Sequence, residues 1–239
     1  MTRPALRASR DPQSFDHLPA RYDRFAELVG GELRAWLTFR LPARGGRALD
    51  AGSGTGVHTA LLADRFDEIL AVDLSESMVG HARRGRRRGN VRYEVRDLHD
   101  LTRERDGTFD LVLCAYTLHH VPDLRTALEH LHGLIRPGGT LLVIDVVDGR
   151  REVPRSWLRA EALRTFGGDL LHRRRPAREA VELLRLQLDR EWLDHQTTDR
   201  LWPPDDWDDN ARAVLPGAEI SPLYRARALG WRAPDRDLT

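Results

Sequence analysis

Short apolar strands alternate with helical segments along the first 147 residues of this 239-residue chain. Apolar residues recur at helical spacing in 57–66 and 124–135, and Ser75 is predicted to cap a further helix. Strands are predicted at residues 47–51, 69–74, 91–95, 109–115 and 140–147; the segment 69–74 is an apolar run typical of a buried strand, and 140–147 is strongly apolar. Strands joined through helices favour a parallel sheet covered on both faces, so the pattern predicts an α/β fold with a doubly wound sheet.

The flanking segments complete the predicted organisation. We predict an N-terminal arm with a lid helix, a core, a helical lid insertion over the substrate and a closing strand pair, at residues 1–41, 42–149, 150–217 and 218–239. Helical spacing in the first part runs from 15 to 41 without a break. The last part contains strands at 218–223 and 224–231, which predict an antiparallel hairpin on a mostly parallel, seven-stranded sheet. Pro222 places the first of these strands at an edge or at a bulge.

The basic side chains are all arginine, because the 38 Lys and Arg positions contain no lysine. The chain can therefore form no lysine Schiff base, and it lacks the phosphate-binding lysine of a P-loop or a protein kinase. Cys114 is the single cysteine, which excludes a disulfide within the chain and argues against a cysteine-bound metal. No apolar run of about 18 residues and no apolar leader are visible, so we expect a cytoplasmic protein without a membrane span.

A glycine-rich turn, Gly52-Ser53-Gly54-Thr55-Gly56, joins the first predicted strand to the next helix. Its G-x-G-x-G spacing differs from the G-x-G-x-x-G of dinucleotide sites. Asp50 just before the turn would repel a pyrophosphate but suits a ligand that carries an ammonium or sulfonium charge. Asp73 ends the next strand, about 20 residues on, where a carboxylate accepts hydrogen bonds from ribose hydroxyls. The pattern indicates a nucleoside with a cationic end, and S-adenosylmethionine fits this description.

Short motifs stand at or beside the ends of the predicted strands, at 50–56, 73, 96–98, 109–112, 118–123 and 134–139. With these motifs, residues 47–148 resemble the class I S-adenosylmethionine-dependent methyltransferases. They are most similar to the ubiquinone/menaquinone-type branch, which acts on small molecules, and Tyr22-Asp23 looks like the amino-terminal motif of that branch. The resemblance implies a Rossmann-like fold, S-adenosylmethionine as cofactor and S-adenosylhomocysteine as product.

The resemblance also implies roles for individual residues. Asp73 would bind the ribose, Asp97 the amino group of adenine, and Leu74 and Leu98 would flank the purine ring. The residues that the resemblance assigns to cofactor binding are Asp50, Ala51, Gly52, Ser53, Gly54, Gly56, Asp73, Leu74, Met78, Asp97, Leu98, Ala115 and Tyr116.

Methyl transfer is an in-line displacement in which the enzyme chiefly aligns its reactants, so a base is needed only if the acceptor holds its proton tightly. His119 and His120, at the end of the fourth strand, are the candidate bases. His120 has the alternative structural role of bonding a loop carbonyl. Tyr22 is a candidate to close over the cofactor or, alternatively, an ordinary packing residue. His195 and the tryptophans of residues 153–213 are candidates for acceptor specificity or for lid packing.

The charge pattern favours a small-molecule acceptor. Arginine runs at 83–88 and 173–175 would suit RNA, but the net charge is only +1, and arginines at a helix C-terminus complement the helix dipole. The acidic run 205–209 predicts a helix N-terminus and no metal site. We therefore predict methylation of a natural-product or quinone-like molecule. An RNA or protein acceptor, a non-methylating cyclase and a homodimeric assembly stay open.

Overall fold

A single seven-stranded sheet forms the centre of the computed structural model, which describes residues 18–150, 153–197, 201–223 and 225–235. Its strand order is β3-β2-β1-β4-β5-β7-β6. The strands are β1 Gly45–Ala51, β2 Phe66–Asp73, β3 Val91–Val95, β4 Phe109–Ala115, β5 Ile135–Val146, β6 Glu219–Leu223 and β7 Ala226–Arg232. The first five are parallel, β7 runs antiparallel between β5 and β6, and Pro222 lies in the edge strand. The predicted fold class is confirmed.

The helices cover both faces of the sheet. They are α1 Pro19–Val29, α2 Gly31–Arg40, α3 Val57–Ala63, α4 Glu76–Gly85, α5 Arg103–Asp106, α6 Leu124–Gly133, α7 Arg155–Leu171, α8 Ala177–Leu188, α9 Arg190–Gln196 and α10 Pro204–Val214. One face buries Leu49 and Val112 against α6 and α10. The opposite face buries Ile69 and Leu111 against α2 and α3. None of the described helices is long and apolar enough to cross a membrane.

The prediction of one continuous helix from 15 to 41 is wrong in the described part of that range. The first helix ends at Val29, and Gly30 separates it from α2. The Gly30 amide donates to the Ala26 carbonyl at 2.9 Å, and a Cβ at Gly30 would overlap that oxygen. A glycine is therefore required where the chain leaves α1, and the apolar spacing does not reveal this break. Residues 15–17 lie outside the described ranges.

The Pro137-Gly138-Gly139 segment differs from the sequence-based expectation as well. The sequence predicts a fifth strand that begins at residue 140, but α6 ends at Gly133 and this segment is already part of β5. The pairing of β4 with β5 shifts register between Phe109 and Leu111, so the segment forms an irregularity within the strand. A proline and two glycines therefore mark a bulge here.

The predicted helical insertion divides into two parts. Helices α7, α8 and α9 pack on one another, and α8 also contacts α1. In contrast, α10 packs against α6, and its Trp207 is fully buried in the main core of the sheet. Asp205 and Asp206 occupy the first turn of α10, where acidic side chains complement the helix dipole.

Candidate active site

The carboxyl ends of β1, β2, β3 and β4 form the edge of the sheet where the predicted site residues meet. Strand β1 pairs with β2 on one side and with β4 on the other, so the strand order reverses at this point. Open α/β sheets bind their ligands in the crevice outside the strand ends at such a reversal. The structure therefore provides a ligand site at the glycine-rich turn.

The glycine-rich turn needs glycine for two separate reasons. Gly52, Gly54 and Gly56 have φ angles of 79°, 52° and 80°, which residues with a Cβ rarely adopt. In addition, a Cβ at Gly52 would overlap the Thr117 side chain of the loop after β4. The amides of Gly52 and Ser53 both donate to the Val72 carbonyl at 2.9 Å. The turn thus presents bare main chain to a ligand.

Asp73 organises the turn from the end of β2. Its carboxylate accepts hydrogen bonds from the Gly54 amide at 2.8 Å and from the Ser75 amide at 2.9 Å. Burial nevertheless raises the pKa of Asp73 above its ordinary value. Each carboxylate oxygen has a second lone pair, so the group can still accept from ribose hydroxyls. Ser75 caps α4, as predicted, by accepting from the amide of the buried Met78 at 3.2 Å.

Asp50 lies among the residues behind the turn and is only 1% exposed. It accepts a hydrogen bond from Thr59 Oγ1 at 2.6 Å. Burial raises its pKa to about 7, against the opposing effect of the Thr59 hydrogen bond. Its contact with a ligand ammonium stays a prediction. Ala51 is fully buried beside it, and the Ser53 Oγ is buried without a hydrogen-bond partner among the residues that the structure describes.

Asp97 and Leu98 lie at the end of β3, where Leu98–Asp100 form a 3₁₀ turn. Asp97 accepts from both the backbone amide and the ring Nδ1 of His99, and this pairing lowers the pKa of Asp97. Leu98 is buried, and its carbonyl contacts His130 Nε2 at 2.9 Å. His99 and His130 are not among the residues selected from the sequence.

The two candidate bases lie together at the end of β4. His119 Nδ1 is 2.6 Å from Asp145 Oδ1, and both side chains are buried. The His120 ring centroid lies 3.9 Å from that of His119. Burial, followed by the charges of His119 and His195, holds the pKa of His120 well below its ordinary value. The structure therefore separates a carboxylate-paired histidine from a neighbouring neutral one.

Asp145 was missed by the sequence analysis, because it lies within an apolar run typical of a buried strand. A signal for it exists in the sheet register. Ala115 pairs with Ile144, so residue 145 of β5 comes level with the loop after β4. A carboxylate at the end of a buried parallel strand is a candidate partner for polar residues that follow the neighbouring strand.

Tyr22 lies over the glycine turn, with its ring edge 3.8 Å from the position of a Cβ at Gly54; its role in closing over the cofactor stays a prediction. The next residue fastens the helix there: Asp23 accepts from Thr55 Oγ1 at 2.8 Å and pairs with Arg86 at 2.8 Å. Tyr116, after the buried Ala115, has a φ of 55°, and burial raises its pKa to about 12. This phenol stays protonated near neutral pH.

An aromatic wall, formed by Tyr22, Phe25 and Trp192, joins α1 to α9 and adjoins His195. The centroid of the Trp192 ring lies 4.6 Å from that of Phe25 and 6.4 Å from that of Tyr22. His195, one turn further along α9, lies 6.1 Å from Trp192 and 6.3 Å from His120. Burial lowers the pKa of His195 to about 4, so this ring is neutral. Two residues of the predicted insertion thus reach the site.

The residues around the turn fit S-adenosylmethionine. The three glycines leave main chain open to a methionyl group, and the orphaned Ser53 Oγ offers a polar partner. Leu74 is 40% exposed beside Asp73, which leaves apolar surface for a purine ring. Among the residues that the structure describes, no three or more His, Cys, Asp or Glu side chains are grouped to hold a metal ion.

Comparison with known proteins supports the same reading. A family model described as a methyltransferase domain matches residues 49–143. An uncharacterized methyltransferase from Mycobacterium bovis is 31% identical over 192 residues, which cover 78% of this chain and 86% of that protein. A ubiquinone biosynthesis O-methyltransferase from Xanthomonas campestris is 34% identical over 110 residues, or 45% of this chain and 46% of the relative. The match thus spans about half the length of the latter protein.

Solved structures share the whole architecture. The structure of DhpI in complex with SAH superposes with a TM-score of 0.63 at 22% identity, over 94% of this chain and 95% of that one. At this level of identity the superposition shows a common fold. The family itself follows from the M. bovis relative, whose length this chain covers almost completely. The chain belongs to the class I S-adenosylmethionine-dependent methyltransferases.

Proposed function

We propose that this protein transfers the methyl group of S-adenosylmethionine to a hydroxyl oxygen of a small molecule. The observation that carries the proposal is the contact between His119 and Asp145, 2.6 Å apart at the ends of β4 and β5. A hydroxyl keeps its proton near neutral pH, so its oxygen needs a base as it attacks. An amine acceptor that is already neutral has no such need. A buried histidine that is paired with a carboxylate therefore favours O-methylation.

The histidine and the aspartate would act as one unit. Asp145 accepts from Nδ1 of His119, which places the proton of a neutral ring on Nδ1 and makes Nε2 the proton acceptor. The carboxylate then stabilises the imidazolium that forms when the acceptor's proton moves to Nε2. The bound cofactor supplies an electrophilic methyl group. The chain contributes proton removal, alignment and the exclusion of water.

The aromatic wall supports an acceptor with a flat, apolar ring system. Tyr22 and Phe25 pack on Trp192. The Trp192 ring centroid lies 6.1 Å from that of His195, which lies 6.3 Å from that of His120. The Trp192 Nε1 is buried and has no hydrogen-bond partner in the described part of the chain, so it can donate to an oxygen of the acceptor. A phenolic natural product or a quinone-like molecule combines these features. A relative named as an O-methyltransferase of ubiquinone biosynthesis adds support.

Contacts within the chain also support a small molecule over RNA. Arg83 donates to the Tyr93 carbonyl at 2.6 Å, and Arg86 donates to the Thr55 carbonyl at 3.0 Å. Arg175 donates to the Leu28 carbonyl at 2.6 Å. Some arginines of each run are thus engaged in contacts within the chain.

We also propose that the protein is cytoplasmic, as expected from its sequence.

Methylation of a panel of phenols and hydroxyquinones tests the proposal, with S-adenosylhomocysteine formation as the readout. His119→Ala and Asp145→Asn should each lower kcat by about a hundredfold or more. Calorimetric affinity for S-adenosylhomocysteine should stay within about twofold of the parent, because the pair lies at the ends of β4 and β5, whereas the glycine turn follows β1. The matched control is His132→Ala, at the far end of α6, which should keep full turnover. Full turnover in both site variants would disprove the base assignment.

A further inference from the structure

We propose that His99 is a positioning residue that aims the Asp97 carboxylate at the 6-amino group of adenine and so sets the selectivity of the cofactor site for adenine. This inference rests on the proposed use of S-adenosylmethionine, with Asp97 at the adenine end of the site. The family resemblance assigns a role to Asp97 and Leu98 but none to His99. The assignment comes from the contacts at the end of β3.

Both hydrogen bonds from His99 fall on one oxygen of Asp97. The backbone amide of His99 donates to Oδ1 at 2.9 Å, and the ring Nδ1 lies 2.8 Å from the same atom. Two donors on Oδ1 fix the rotation of the carboxyl group, which holds Oδ2 on the opposite side. The side chains of Asp97 and His99 are 27% and 21% exposed, so the pair is partly accessible to a ligand at the end of β3.

The imidazole of His99 is itself held in place by α6. Its ring centroid lies 5.8 Å from that of His130, and His130 Nε2 contacts the Leu98 carbonyl at 2.9 Å. Burial lowers the pKa of His130, so this contact comes from a neutral ring that donates from Nε2. His130 therefore holds the main chain of the 3₁₀ turn and lies beside the ring of His99. Because His99 is bonded to Asp97, these contacts also limit the movement of the Asp97 carboxylate.

A fixed carboxylate can discriminate between purines by the group at position 6. The amino group of adenine donates a hydrogen bond to Oδ2, whereas the oxo group of hypoxanthine places a second acceptor against it. A rigid acceptor cannot turn away from this mismatch, and unpaired polar groups in a site are costly. Without the ring of His99 only the backbone amide holds Asp97, so the carboxyl group can rotate away and the selectivity falls.

Calorimetry with S-adenosylhomocysteine and its inosine analogue measures this selectivity without turnover. The parent should bind the adenine compound about tenfold or more tightly, as expected for one charge-assisted hydrogen bond. His99→Ala should reduce that ratio by about threefold to tenfold. His99→Asn places an N–H near the position of Nδ1 and should restore the ratio to within about twofold of the parent. His132→Ala, on the same helix as His130, should leave it unchanged.

The possible failures are distinguishable. A parent-like ratio in His99→Ala, with both ligands bound, would overturn the role of His99 alone. Equal affinity of the parent for both ligands would overturn it too, because Asp97 would then not read the amino group. Failure of the parent to bind S-adenosylhomocysteine at all would instead refute the proposed function. Thermal unfolding of each variant checks that His99→Ala is folded when its ratio is measured.

Discussion

Three aspartates at strand ends show how much the surroundings of a single residue decide. Asp50 is buried behind the turn and bonded by Thr59, whereas Asp73 holds two backbone amides at the crevice. Asp145 is fully buried in β5 and pairs with His119. The first carboxylate is costly to ionise, the second organises the glycine turn, and the third would orient the proposed base. The residue type is the same in each case, and the neighbours assign the role.

Asp50 should make the folded protein less stable as the pH rises. Its pKa in the folded state is about 7 against an ordinary value of 3.8. Between these values the folded protein keeps a proton that the unfolded chain loses, so the free energy of unfolding falls as the pH rises through this window. Asp50→Asn removes the effect and should gain about 1–3 kcal/mol over the parent on going from about pH 5 to about pH 8.

Urea unfolding of the ligand-free parent and of Asp50→Asn, at both pH values, measures this gain. The difference between the two proteins is the relevant quantity, because His195 and His58 have lowered pKa values and stabilise the fold in the opposite direction as the pH rises. A difference that does not change with pH would show that Asp50 ionises normally in the folded protein.

Gly52 should tolerate no side chain. Gly52→Ala forces a residue with a Cβ into a φ of 79° and drives that Cβ into Thr117. We expect a loss of about 1–3 kcal/mol in the free energy of unfolding and a marked loss of affinity for S-adenosylhomocysteine. Adding Thr117→Gly should recover only the steric part. Gly149→Ala is the control, because a Cβ there meets nothing within 4 Å. Equal unfolding energies for Gly52→Ala and the control would contradict the expectation.

At the scale of elements, local patterns predicted the strands well and the contacts between them poorly. Strands β3 and β4 match the predicted ranges, because turn-forming or polar residues on either side mark where each strand begins and ends. The break at Gly30 and the bulge at 137–139 depend on close backbone contacts that spacing does not encode. The pairing of His119 with Asp145 joins residues 26 positions apart and requires the register of β4 against β5.

Helix α1 links the cofactor turn to the lid insertion through ion pairs. Arg21 pairs with Asp189 at 2.8 Å and with Glu191 at 2.5 Å, and Arg24 pairs with Glu182 at 2.7 Å. These side chains are 32–63% exposed, so solvent screens each pair and no single pair contributes much to stability. Their combined loss should loosen α1 without unfolding the core.

Limited trypsin digestion tests this link, because α1 contains its own arginine cleavage sites. The triple variant Glu182→Gln, Asp189→Asn and Glu191→Gln keeps those sites, and Asn still caps α9. Cleavage within α1 should become about fivefold faster, as expected for opening that is easier by about 1 kcal/mol. The control with the same charge change is Asp67→Asn, Glu68→Gln and Glu129→Gln. Equal acceleration of cleavage in the control would show a general effect of charge and no specific role for the ion pairs of α1.

Over the whole molecule, the charge balance favours the proposed small-molecule acceptor over RNA. Basic and acidic side chains number 38 and 37, and most ion pairs lie within or between elements of the fold. Arg83, Arg86 and Arg175, which belong to the two arginine runs, donate hydrogen bonds to main-chain carbonyls. A molecule of this kind has no large surplus of positive charge with which to neutralise phosphates.

Catalysis on an uncharged phenolic acceptor should therefore depend little on salt. We expect kcat/KM to change less than about threefold between about 50 and 200 mM NaCl, because association with a neutral acceptor releases no counterions. An RNA acceptor bound through several phosphates would lose about 10³–10⁵ in affinity over the same range. The control is the affinity for S-adenosylhomocysteine at each salt concentration, which separates an effect on the cofactor site from one on the acceptor. A steep loss of kcat/KM with unchanged cofactor affinity would place charged groups of the acceptor against the arginine runs and reject the small neutral acceptor.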